Sequence, residues 1–239
     1  MKLYYAPGAC SLASHIALRE AGLDFQLEKV DLRKKVTASG DDYRQINPLG
    51  YIPALQLDNG DVLTEGPAIM QFIADQAPAS GLLPAQGVAR YHAIGWLNFI
   101  ATELHKTCSP LFSPAITEEQ RAPIIERLSA RLDALEQRFS TGGYLMGSDF
   151  CVADLYLFVV TGWFGRLNIS LKKWPHIERA DHRGFLDLRV ALQKPAQHRP
   201  QLCLGSCANA PIHPRNGPCR QCAGQRPPQC RLAQCLRWL

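Results

Sequence analysis

Cys10 stands at a point of the chain where a thiol could become reactive. It follows the turn-forming pair Pro7-Gly8 and opens a segment of helical periodicity. A thiol at a helix N-terminus faces unpaired backbone N–H groups, which favour its thiolate form. The alternative is a small buried apolar residue. Because Ala13 stands three residues further on, there is no nearby second thiol, and redox chemistry at Cys10 requires an external one.

His105 is the second residue that could carry chemistry. Together with Asn98 and Thr102 it falls on one stripe of a predicted helix, at steps of four and three. His105 and Lys106 place two potential cations in an otherwise apolar neighbourhood, where they could stabilise a thiolate across a domain cleft. A histidine with only a structural role is the alternative.

Two short motifs are suited to binding a peptide. Ile52-Pro53 precedes a predicted strand, and its alternative interpretation is a plain turn. Glu65-Gly66 ends a predicted hairpin and opens a helix. Such a helix start can hold a carboxylate through its N–H groups, and the Glu65 side chain can pair with an ammonium group. Helix capping alone is the alternative for this pair.

Elements of two kinds must position these residues. The first 78 residues predict the order strand, helix, strand, variable segment, hairpin, helix, with strands at 2–5, 25–30, 54–57 and 62–64. Residues 79–87 have a linker composition. Residues 88–180 show helical periodicity only, and the segment 151–164, apolar on all sides, predicts a helix at the centre of a bundle.

Composition and charge narrow the class of protein. Of 239 residues, 46% are hydrophobic and 20% charged, as in a folded protein. No signal peptide or run of about 18 apolar residues is recognised, so we expect a cytoplasmic protein with neither a membrane nor a nucleic acid as partner. We expect no metal in residues 1–180, because no ligand cluster with suitable spacing occurs there.

With these residues placed, the chain is similar to the bacterial beta class of glutathione transferases from Met1 to about Arg179. The stretches that carry the resemblance are Lys2–Ser11, Asn47–Leu55, Leu63–Ile69 and Glu103–Lys106. The resemblance implies an α/β thioredoxin-like N-terminal domain with a mixed four-stranded sheet, in which Pro53 is cis. It also implies an all-helical C-terminal domain and a homodimer.

The resemblance further implies glutathione as co-substrate and a role for each matching residue. Cys10 lies beside the glutathione sulfur and can hold glutathione as a mixed disulfide. Ile52 pairs its backbone with the cysteinyl unit. The remaining implied contacts are Lys35 with the glycyl carboxylate, Glu65 and Gly66 with the γ-glutamyl end, and Asn98, Thr102 and His105 from the helical domain.

The sequence departs from the wider superfamily at two positions. Gly66 replaces a serine whose hydroxyl holds the γ-glutamyl carboxylate in many members, so only a backbone N–H is available. Cys151 replaces the Ser or Thr that normally begins the buried capping box completed by Asp154. Because a thiol is a weaker acceptor, we expect a poorer cap.

The leading functional hypothesis is transfer of glutathione to a small, partly apolar electrophile. We expect the helix N-terminus and His105 to lower the pKa of the bound thiol, and apolar walls near Phe112 and Trp163. Thiol-disulfide exchange, peroxide reduction and reductive dehalogenation through Cys10 are further activities on the same site. The alternative is a protein of another class, a non-catalytic binder of apolar ligands or proteins. Such a binder has no need of the polar side chains named above.

Residues 181–239 differ from the rest of the chain. They carry a net charge of +7, against −2 for residues 1–180, and six of the nine cysteines. Their abundance of Arg, Pro, Gln and Cys predicts the product of a shifted reading frame that does not fold as a domain. The alternative is a zinc or nucleic-acid module, because four cysteines have admissible ligand spacing: Cys203, Cys207, Cys219 and Cys222.

Overall fold

A computed structural model describes residues 1–180 of the chain. The expectations for residues 181–239 lie outside the described residues. The described part contains a small mixed sheet with two helices, followed by a domain of helices. Among the described helices, none combines the length and the apolar character that a membrane span requires.

The N-terminal sheet has five strands rather than the predicted four. Its order is β3-β2-β1-β4-β5, in which β1 and β2 are parallel and every other pair is antiparallel. The unpredicted strand, β3, has only two residues, too few to show an alternating pattern, and pairs at the sheet edge with the end of β2. The strands are β1 Lys2–Tyr5, β2 Gln26–Asp31, β3 Val36–Thr37, β4 Ala54–Gln56 and β5 Val62–Thr64.

Two helices complete this domain. Helix α1 spans Ser11–Glu20 and helix α2 spans Gly66–Gln76, and they pack against each other. Leu3 and Leu55 from the central strands are fully buried with Ile16 of α1. The thioredoxin-like class of the N-terminal domain is confirmed, and helices α1 and α2 contact the helical domain.

The helical domain begins with one long, irregular helix. Helix α3, Gly87–Phe99, continues as a π-helix over Ile100–His105 and ends in a turn of α-helix, α4, over Lys106–Cys108. Two further helices follow, α5 over Glu118–Phe139 and α6 over Val152–Thr161. Residues 175–180 are also helical. Short 3₁₀ turns cover Tyr43–Gln45, Pro78–Ser80, Ser109–Phe112 and Leu171–Lys173.

Helix α6 is the central helix of this domain, as its evenly apolar sequence predicted. It packs against α1, α3 and the π-helix, and eight of its ten residues are buried. At its start, the Asp154 carboxylate accepts hydrogen bonds from the backbone N–H of Cys151 at 2.9 Å and of Leu145 at 2.8 Å. The carboxylate half of the predicted capping box is therefore present, and the Cys151 sulfur occupies the hydroxyl's place.

Candidate active site

A cavity of about 620 Å³ lies between the two domains and collects most of the predicted site residues. Its floor is the loop before α1 and the cis Ile52–Pro53 bond, and its far wall comes from the π-helix and α6. Of the predicted residues it is lined by Cys10, Lys35, Ile52, Pro53, Glu65, Gly66 and His105. The expected apolar wall residues Phe112 and Trp163 line it as well.

Cys10 occupies the N-cap position of α1, as predicted, but its ionisation differs from the expectation. Its Sγ lies 3.3 Å from the carbonyl oxygen of Ile52, to which it donates a hydrogen bond. Burial raises the pKa of the Cys10 thiol to about 11, and it outweighs the lowering by the backbone N–H groups of Cys10 and Ser11. The predicted thiolate is therefore wrong for this structure, because desolvation destabilises the charged form more than the N–H groups of the helix terminus stabilise it.

Lys35 and Glu65 reach the cavity from strained backbone positions. Their φ angles are 57° and 65°, in the left-handed region that side-chain-bearing residues seldom occupy. Such conformations cost about 1–3 kcal/mol each and concentrate at functional sites. The Lys35 ammonium donates to the carbonyl oxygen of Gly50 at 2.9 Å.

The loop that presents Ile52 is fixed from behind by two residues that no sequence pattern marked as functional. The Tyr43 hydroxyl and the Asn47 side-chain amide both donate to the carbonyl oxygen of Tyr51, at 2.7 and 2.8 Å. Tyr43 and Asn47 are buried. The backbone next to Ile52 is thus held in place before any ligand binds.

His105 is packed between aromatic side chains at the back of the cavity. Its Nδ1 lies 2.6 Å from the hydroxyl of Tyr156, and its ring centroid lies 4.9 Å from that of Trp163. Burial, with a contribution from Lys106, lowers the pKa of His105 to about 4. His105 is therefore neutral near pH 7, and the expectation of two adjacent cations is wrong because burial disfavours the second charge.

Asn98 and Thr102 do not reach the cavity. Both are exposed, and the Thr102 hydroxyl donates to the backbone carbonyl of Asn98 at 3.0 Å. The predicted stripe assumed an α-helix throughout. Since a π-helix has more residues per turn, the segment 100–105 rotates His105 away from the face that carries Asn98 and Thr102.

Three further residues of the helical domain shape the cavity. Tyr156 contacts His105, and the Trp163 indole N–H donates to the carbonyl oxygen of Gly8 at 3.1 Å, which ties the helical domain to the loop before Cys10. Arg166 also lines the cavity. Trp163 was predicted only as an apolar wall, and Tyr156 was not predicted because the even apolar pattern of α6 gives no sign of which face meets the cavity. Arg166 lies in the turn after α6 and belongs to no motif that the sequence showed.

The comparisons with known proteins agree with this architecture. The family description "Glutathione S-transferase, N-terminal domain" matches residues 8–76, and "Glutathione S-transferase, C-terminal domain" matches residues 99–179. Glutathione S-transferase GstA of Escherichia coli O157:H7 is 48% identical over 178 residues, which cover 74% of this chain and 89% of that relative.

Solved structures give the same result. A sphingomonad glutathione S-transferase complexed with glutathione is 44% identical, with a TM-score of 0.75, covering 82% of this chain and 94% of that one. The bacterial beta-class glutathione S-transferase of Sphingomonas chungbukensis is 42% identical, with a TM-score of 0.74, covering 77% and 92%.

A thioredoxin-like domain, a helical domain and the cavity between them thus define a thiol-binding enzyme, and the chain belongs to the glutathione S-transferase family. Within that family it falls in the bacterial beta class. It is accordingly a glutathione transferase, with glutathione as its co-substrate.

Proposed function

We propose that this enzyme conjugates glutathione to small, partly apolar electrophiles in the cavity between its domains. Residues 1–78 form the glutathione-binding domain, and residues 88–180, joined through 79–87, carry the acceptor site. The observation that supports this best is the shared cavity, in which polar groups from the first domain face an aromatic wall from the second. A carrier of apolar ligands has no need of that polar half.

The charges along the cavity suit glutathione group by group. Glu65 pairs with the γ-glutamyl ammonium, while the N-terminus of α2 at Gly66 receives the neighbouring carboxylate. The backbone of Ile52 pairs with the cysteinyl unit, as an added strand does. Lys35 binds the glycyl carboxylate. The glutathione sulfur then lies near Cys10 and His105.

The state of Cys10 favours conjugation by glutathione's own sulfur over exchange through the protein thiol. Thiol-disulfide exchange requires a thiolate, and the raised pKa of Cys10 keeps it a hydrogen-bond donor near pH 7. A donor beside the bound sulfur stabilises negative charge developing there. Mixed-disulfide formation, peroxide reduction and dehalogenation are therefore secondary activities of this site.

The enzyme works as a homodimer in the cytoplasm. Val88 and Tyr91 lie three residues apart on α3 and are 70% and 72% exposed. An exposed apolar pair of this kind is suited to an interface between two copies of the chain. Cys10, Cys108 and Cys151 are free thiols, in keeping with a reducing compartment.

The test combines glutathione binding with turnover. Titration calorimetry of the full-length protein is expected to show one glutathione site per chain, and Glu65→Gln to weaken it about tenfold, since a charge-assisted pair is lost. Glu126→Gln, an exposed glutamate outside this cavity, is the matched control and leaves the affinity unchanged. Absence of glutathione binding and of glutathione-dependent turnover with 1-chloro-2,4-dinitrobenzene would overturn the proposal.

A further inference from the structure

Arg166 lies beside the loop that leads to Cys10 and has no assigned partner. Its Nη1 approaches Gly8 so closely that a Cβ built on that glycine would lie 3.0 Å away. Within residues 1–180 its guanidinium forms no ion pair or hydrogen bond, although it lines the cavity. A guanidinium that lines a cavity and has no partner in the protein can bind an anionic ligand.

When glutathione is bound, Arg166 is, among the described residues, the one charged residue of the cavity that has no oppositely charged partner. The cavity is lined by three cations, Lys35, Lys106 and Arg166, and one anion, Glu65. None of the four takes part in an ion pair among the described residues. Under the proposed function, Lys35 and Glu65 bind the two ends of glutathione, and Lys106 remains for the sulfur when it ionises. Arg166 has no group of glutathione to neutralise.

The surroundings of Arg166 suit a flat apolar body next to the anion. Phe112 and Trp163 meet edge to face at 5.4 Å between ring centroids, and both line the cavity near it. Trp163 is held in place by its hydrogen bond to the carbonyl oxygen of Gly8, the same residue that Arg166 approaches. An aromatic ring against this wall can therefore place a carboxylate within reach of the guanidinium.

We propose that Arg166 selects acceptor substrates that carry an anionic group, so that this enzyme prefers aromatic electrophiles bearing a carboxylate over their neutral counterparts. The inference rests on the proposed function, since it assigns the acceptor half of the same cavity. In the reaction, the glutathione thiolate attacks the ring carbon that bears the halogen and a C–S bond forms. The C–halogen bond breaks, halide leaves with the bonding pair, and the thiol proton passes to solvent.

The experiment uses a matched pair of probes, 4-chloro-3-nitrobenzoate and the neutral 4-chloro-3-nitrobenzamide, with each enzymatic rate divided by the uncatalysed rate with glutathione. The wild-type protein is expected to favour the benzoate. Arg166→Gln lowers kcat/KM for the benzoate about fivefold to tenfold and changes the benzamide less than about twofold, since only one ion-paired hydrogen bond is lost at a partly open site. Arg166→Lys retains part of the preference.

Arg44→Gln is the control for loss of an arginine charge, because Arg44 is exposed and does not line the cavity. It leaves both probes unchanged. Equal rates for the two probes in the wild type, or an equal loss of both in Arg166→Gln, overturn the role of Arg166 and leave the proposed function standing. Weaker glutathione binding in Arg166→Gln also overturns it, because the arginine then serves the co-substrate. If neither probe reacts while 1-chloro-2,4-dinitrobenzene is turned over, this inference fails and the proposed function stands; if 1-chloro-2,4-dinitrobenzene is not turned over either, both fail.

Discussion

The hydroxyl of Tyr156 sets the protonation pattern of His105. Burial raises the pKa of Tyr156, so the hydroxyl keeps its proton, and it has no other acceptor than Nδ1 of His105 among residues 1–180. With a pKa of about 4, His105 is a weak base near pH 7 and carries a single ring proton. We expect Tyr156 to donate to Nδ1, which leaves that proton on Nε2 as a donor for the glutathione sulfur.

Replacing Tyr156 with Phe tests this arrangement while keeping the ring. The kcat for conjugation is expected to fall about fivefold to tenfold, the equivalent of one neutral hydrogen bond, while the KM for glutathione stays constant. Nitrogen NMR of the labelled wild-type imidazole reports Nε2 as the protonated atom. Tyr144→Phe, which alters an exposed tyrosine that does not line the cavity, is the control. Protonation at Nδ1, or an unchanged kcat, contradicts the assignment.

For individual residues, the sequence predicted which side chains line the cavity better than it predicted their charge. Cys10 at a helix start and His105 among apolar residues are visible as patterns. Their ionisation depends on how much water each side chain loses, and that is decided by distant partners such as Ile52 and Tyr156. Desolvation opposes ionisation at both positions, which is why the expected thiolate and cation are absent.

Among the elements, the π-helix over Ile100–His105 has the largest consequence for the site. It aims His105 at the cavity and leaves Asn98 and Thr102 on an exposed face. Sequence periodicity could not reveal it, because steps of three and four describe an α-helix, and a π-helical turn arises from tertiary packing. The strands and helices were predictable because their patterns of apolar residues are local, whereas β3 was too short to carry one.

The start of α6 gives a prediction for a single element. Cys151→Ser is expected to raise the free energy of unfolding by about 1 kcal/mol, because a hydroxyl oxygen accepts the N–H of Asp154 better than sulfur does. Urea unfolding followed by circular dichroism measures the change.

Cys108→Ser is the matched control for that substitution. Cys108 is equally buried but lies at the end of α4, where its side chain caps no helix. The same replacement there should lower the free energy of unfolding by about 2 kcal/mol, because a hydroxyl enters apolar surroundings. A loss of stability in both variants shows that the sulfur already caps α6 as well as an oxygen.

For the whole molecule, the site exists only where the two domains meet. Trp163 from the helical domain donates a hydrogen bond to Gly8 of the first domain, and α6 packs on α1. The resemblance in four short stretches was enough to predict this architecture, since each stretch places one wall of the cavity. It could not predict Arg166, which lies outside those stretches.

Helix α1 buries a second neutral histidine, packed among residues of the first domain, which makes the stability of the whole protein depend on pH. His15 of α1 is 3% exposed, packs against Phe25, and its Nε2 has no hydrogen-bond partner among residues 1–180. Burial, with a contribution from Arg19, lowers its pKa from 6.5 to about 4. Within that window the unfolded chain binds a proton that the folded chain does not, so stability falls as the pH falls.

We therefore expect the free energy of unfolding to drop by about 2 kcal/mol between pH 7.5 and 5.0 on account of His15 alone, with His105 adding in the same direction. Carboxylates with lowered pKa values, such as Glu136, lose their contribution only at lower pH and stay outside this range. Urea unfolding of wild type and His15→Gln at both pH values isolates the contribution of His15 to the free energy of unfolding. The comparison uses the change in stability with pH and not the absolute stability. His92→Gln, an exposed histidine, is the control and keeps the wild-type dependence. If His15→Gln also keeps the wild-type pH dependence, His15 is protonated in the folded protein, and its assignment as a buried neutral imidazole is wrong.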